Sequence, residues 1–119
     1  MASSPNEDSI QVLEEAKRSE LYEKLVAQLK KDFELANIRL NISDNPSPEK
    51  LKTELHEKVY RLILEQFPEY LNLLYIVDVS EDKVREIETT DVVDMAEAVS
   101  FLILKREWMK VSLRRRFET

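Results

Sequence analysis

Residues 91–117 read DVVDMAEAVSFLILKREWMKVSLRRRF, and the spacing of their apolar side chains decides the fold. At 100° per residue, Val92, Met95, Ala96, Val99, Leu102, Ile103, Leu113 and Phe117 fall in one stripe, as in a helix buried along one side. A second apolar set, Val93, Phe101, Leu104, Trp108 and Val111, falls on the opposite side. A helix apolar on two faces is either wrapped by neighbours from its own chain or shared with another chain. At about 1.5 Å per residue this rod is roughly 40 Å long, a full domain diameter.

Arg106 and Lys110 lie on the main apolar stripe of that helix. A buried unpaired cation is costly, so each must reach an acid or reach water at a helix end. The charge order along the helix, with Asp94 and Glu97 early and the bases late, suits the helix dipole.

Outward from this stretch, 119 residues with 43% hydrophobic content suit one domain with a real core. The chain has no glycine and no cysteine. Without glycine, phosphate-cradling loops, dinucleotide fingerprints and tight hairpins are disfavoured. Without cysteine, disulfides, thiolate catalysis and the usual zinc sites are removed. An all-α fold remains: helices over about residues 19–37, 48–66, 69–77 with a short continuation at 80–87, and 90–117. Residues 1–18 read as a loosely attached helical arm, because Ile10, Val12 and Leu13 do not align with the stripe that starts at Leu21; residues 19–119 form the domain. Ser4-Pro5-Asn6-Glu7 and Ser47-Pro48-Glu49 have the form of helix starts, and Ser19 is a candidate cap for the second helix. Pro68 predicts a kink or short break near Phe67. Tyr70–Val77 is almost wholly apolar and is expected to be deeply buried. The alternation of Ile38, Leu40 and Ile42, with β-branched residues near Val79, leaves an α+β alternative with one strand pair, 38–42 with 75–79.

The formal net charge is −6, but residues 101–119 carry +4, so the first hundred carry −10. Such a chain repels nucleic acid and anionic membrane, and neither partner is expected. No apolar run has transmembrane length and the start has no secretory pattern, so the expected location is cytoplasmic.

The candidates for chemistry are few. His56 is the only histidine; Tyr60 stands where a zinc-binding helix needs a second one, so His56 reads as a boundary residue. No metal and no cofactor are expected. The leading expectation is a non-catalytic helical interaction module that self-associates as a homodimer through the terminal helix. Its interface residues are Phe101, Leu104, Trp108, Val111, Arg114 and Arg115. One alternative is a small acidic adaptor or inhibitor of a basic partner protein. Another is an enzyme in which carboxylates such as Glu65, Glu69, Asp78 and Asp82 surround a divalent ion.

Overall fold

A computed structural model describes residues 4–118. Its helices are α1 (Pro5–Arg18), α2 (Tyr22–Leu35), α3 (Pro48–Glu65), α4 (Phe67–Val77), α5 (Glu81–Arg85) and α6 (Val92–Arg116). Among the described residues there is no strand, so the fold is all-α. At about 1.5 Å per residue, the 25 residues of α6 nearly match the 43 Å longest dimension of the molecule. α1, α2, α3 and α4 all pack against it.

α1, α3 and α6 start where the sequence can satisfy the first backbone donors. Ser4 Oγ accepts from the Glu7 N–H at 3.2 Å, and Ser47 Oγ accepts from the Lys50 N–H at 3.2 Å. Asp91 Oδ1 accepts from the N–H groups of Val93 and Asp94 at 2.8 and 3.2 Å. Ser19 does not cap α2 as expected; it closes α1, and the α2 start at Leu21 has no side-chain cap. Pro68 does not kink a continuing helix. The chain breaks at Gln66, and the proline occupies the first turn of α4, where its missing N–H costs nothing.

Three helices end in a left-handed residue although the chain has no glycine: Glu20, Asn37 and Asp78 have φ of 59°, 59° and 71°. Beyond each, the next N–H turns back to a carbonyl five residues earlier: Leu21 to Ala16, Ile38 to Phe33 and Val79 to Leu74, at 2.8, 2.9 and 2.9 Å. This closure satisfies orphan carbonyls and brings an apolar residue onto the last turn. The usual cost of a side chain in this conformation is about 1–2 kcal/mol.

α1 is not a loosely attached arm. Ser9, Leu13 and Ala16 are buried, with Leu13 in the main core. These residues lie at i, i+4 and i+7, so α1 does have a buried stripe, made largely of small side chains. Asn6 Nδ2 also donates to Glu97 Oε1 of α6 at 2.8 Å. The second apolar face of α6 is therefore covered by its own chain at Leu104 and Val111 and partly at Phe101 and Trp108, while Val93 stays exposed.

The alternation at 38–42 is real but makes no sheet. Ile38 is buried, Leu40 and Ile42 are partly buried against the core, and Arg39 and Asn41 are exposed. Of the expected partner segment, 75–79, residues 75–77 belong to α4 and Asp78 ends it in a left-handed conformation. The Tyr22 hydroxyl donates to the Pro46 carbonyl at 2.6 Å and pins the connection. Burial, with Glu49 nearby, pushes the Tyr22 phenol up to about 12.

Candidate functional site

The expected interface does not stand free on α6. Leu104 and Val111 are 0% and 3% exposed within the single chain, so neither can give area to a second molecule. Phe101 and Trp108 are half-buried and line a shallow hollow with α1 residues such as Gln11, Glu15 and Arg18. Arg114 donates to Gln28 Oε1 at 2.8 Å, and Arg115 donates to the Ser19 carbonyl. The pairing expected of the two stripe cations holds within the chain: Arg106 Nη2 is 2.9 Å from Asp78 Oδ2, and Lys110 Nζ is 2.9 Å from Asp32 Oδ2.

Lys110 is the centre of a buried polar group between α2 and α6. Its ammonium also lies 3.1 Å from Glu107 Oε1, and Gln28 Nε2 donates to Asp32 Oδ1 at 3.1 Å. Glu107 is 0% exposed, and neither of its carboxyl oxygens receives a well-directed hydrogen bond. Burial first, and the adjacent Asp32 second, push the Glu107 carboxyl up to about 8, against the pull of Lys110. At neutral pH Glu107 therefore keeps its proton, and the Asp32 charge is balanced by Lys110. None of these three residues lines the apolar groove on α4.

The sign of the pH effect follows from linkage. Glu107 titrates near its ordinary 4.5 in the unfolded chain and near 8 in the fold. Between those values the folded chain holds a proton that the unfolded chain has lost. Its contribution is complete below about pH 4.5 and falls by at most about 1.4 kcal/mol per pH unit until about pH 8. Denaturant unfolding of wild type and Glu107→Gln from pH 5 to 8.5 should show the variant gaining relative stability as pH rises. Parallel curves would mean that Glu107 is ionised in the fold.

α4 carries an exposed apolar surface. Tyr70, Leu73, Leu74 and Val77 face the core, whereas Phe67, Leu71 and Tyr75, at i, i+4 and i+8, stay outside. Tyr75 is 83% exposed. The expectation that Tyr70–Val77 is buried throughout thus holds for one side only. With Ile63 of α3, Val84 of α5 and Met95 of α6, this stripe forms an apolar groove of about 720 Å³.

The groove is built mainly from an acidic stretch of the chain, although its two lining carboxylates, Asp78 and Glu81, are paired with Arg106 and Arg85. Residues 65–94 carry nine carboxylates against Lys83 and Arg85, a net −7. Asp78, Ser80, Glu81 and Arg85 edge the groove itself. Arg85 is held by Glu81 and Asp82 at 3.2 and 3.4 Å, which leaves little positive charge on this rim. The structure does not gather Glu65, Glu69, Asp78 and Asp82 around one point: Asp78 faces Arg106 and Asp82 faces Arg85. Among the described residues no group of three or more potential ligands is placed to hold a metal ion. His56 lies at the α3–α6 boundary, its Nε2 3.2 Å from the Val93 carbonyl; a carbonyl only accepts, so Nε2 carries the proton. No helix among the described residues is long and apolar enough to cross a membrane.

A pattern search could have found the stripe at 67, 71 and 75, but not which side of an all-apolar helix would stay outside. Compared with known proteins, the chain matches no family model, no curated protein sequence and no solved structure.

Proposed function

We propose that the chain is a non-catalytic interaction module whose groove between α4 and α5 takes up an amphipathic helix flanked by lysine or arginine. The observation that carries this reading is the exposed Phe67, Leu71 and Tyr75 stripe inside a segment of net charge −7. Contiguous exposed apolar side chains rimmed by polar ones mark an association surface. A helix laid in such a groove anchors residues at i, i+3, i+4 and i+7, and basic residues beside those anchors meet the acidic rim. The same pairing of chemistries gives substance to an acidic adaptor for a basic partner.

The test uses an 18-residue leucine–lysine amphipathic helix, labelled for fluorescence anisotropy. A scrambled peptide of equal charge, without a continuous apolar face, serves as control. Wild type should bind the helix at micromolar Kd, with Leu71→Asp weakening it about tenfold or more and the scrambled peptide binding far less. Salt of about 0.5 M should weaken capture without abolishing it, since only the charge component is screened. Equal binding of both peptides, or a Leu71→Asp variant as good as wild type, would overturn the proposal.

A further inference from the structure

We infer that the groove is filled by the basic end of α6 from a second copy, in a reciprocal antiparallel dimer. This inference rests on the groove being a helix-binding site. Along α6, Met95, Leu102 and Met109 recur every seven residues, about two turns, and so lie on one side of the helix. Leu113 and Arg116 continue that line, and Phe117 borders it. Met95, at one end of this line, lines the acidic groove. Met109, near the middle, lines the adjoining hollow with Asp78 and Arg106. At the other end Leu113 and Phe117 are exposed, Phe117 at 86%.

One side of the molecule thus carries an apolar stripe on an acidic segment, residues 65–94, at one end and an apolar stripe beside Arg114–Arg116 at the other. About 33 Å of helix separates Met95 from Phe117. Two copies placed side by side in opposite directions bring each basic end over the other's acidic groove, and both contacts form together. This is a closed two-fold arrangement in which the same patch serves both subunits. It keeps self-association through the terminal helix but moves the contact from Leu104 and Val111 to Leu113, Arg116 and Phe117. It also sets the Arg114–Arg116 end of the helix against a segment of opposite sign in the same sequence.

Sedimentation equilibrium of the full chain at about 100 µM tests this, at about 50 mM and about 500 mM salt. Expected at low salt is a mass of two chains, with the dimer Kd rising at high salt. Phe117→Ala and Arg116→Glu, both at exposed positions, should each raise the dimer Kd about tenfold or more. The Phe117→Ala variant should still bind the leucine–lysine peptide, because its own groove is intact, whereas Leu71→Asp should lose both dimer and peptide. A wild-type monomer that binds the peptide overturns the inference and leaves the groove reading standing. A dimer indifferent to both Phe117→Ala and Leu71→Asp overturns it as well. A monomer that does not bind the peptide removes both.

Discussion

Lys110→Met is expected to destabilise the fold by about 3–5 kcal/mol, a large share of the 5–15 kcal/mol typical of a domain. Lys110 is the cation between two carboxyls that the fold buries, 2.9 Å from Asp32 and 3.1 Å from Glu107. Methionine keeps most of the volume of the stem and removes the charge, so the loss isolates electrostatics from packing. Without the ammonium, the Asp32 charge keeps the Gln28 hydrogen bond but loses its counter-ion. Urea unfolding at pH 7 measures the loss. A loss below about 1 kcal/mol at pH 7 would mean that water reaches the group and the pair behaves like a surface ion pair. Replacing Asp32, Glu107 and Lys110 together by apolar residues of similar volume should recover the loss, because the desolvation cost then disappears with the charges.

Leu13→Ala is expected to cost about 2–5 kcal/mol in the same measurement. Leu13 is buried in the main core between Ser9 and Ala16, on a helix packed along α6. A cavity there is bounded by two helices tied together at Asn6 and Glu97, so collapse around it is limited. Hydrogen exchange should protect the middle of α1 at free energies close to those of α6. A change within about 0.5 kcal/mol, or α1 amides exchanging by fraying, would return α1 to the status of an attached arm.

The parts of the fold that were legible in the sequence are those governed by local chemistry. Ser4, Ser47 and Asp91 start helices because their oxygens satisfy nearby N–H groups, which can be read within four residues. The two-faced pattern of residues 91–117 correctly marked a helix with neighbours on both sides, and the stripe cations Arg106 and Lys110 correctly demanded acids. Which acids they reach was not legible, since Asp32 and Lys110 are 78 residues apart and only the packed fold joins them. The stripe of α1 was hidden because two of its members, Ser9 and Ala16, have little or no apolar weight, although small side chains allow close helix packing. The opposite difficulty held for α4: with nearly every side chain apolar, periodicity cannot say which remain outside. Two residues of the expected interface, Leu104 and Val111, are withdrawn from it for a related reason. An apolar second face implies a cover, and at Leu104 and Val111 that cover is intramolecular.

The helix-accepting groove is tested most directly by amide chemical-shift mapping during titration with the leucine–lysine peptide. The expected result is a contiguous set of shifted amides over Phe67–Val77 and Glu81–Arg85, joined by Ile63 and Met95 and saturating at one peptide per chain. Shifts centred on Phe101 and Trp108 instead, or only weak changes scattered over the acidic surface, would contradict it.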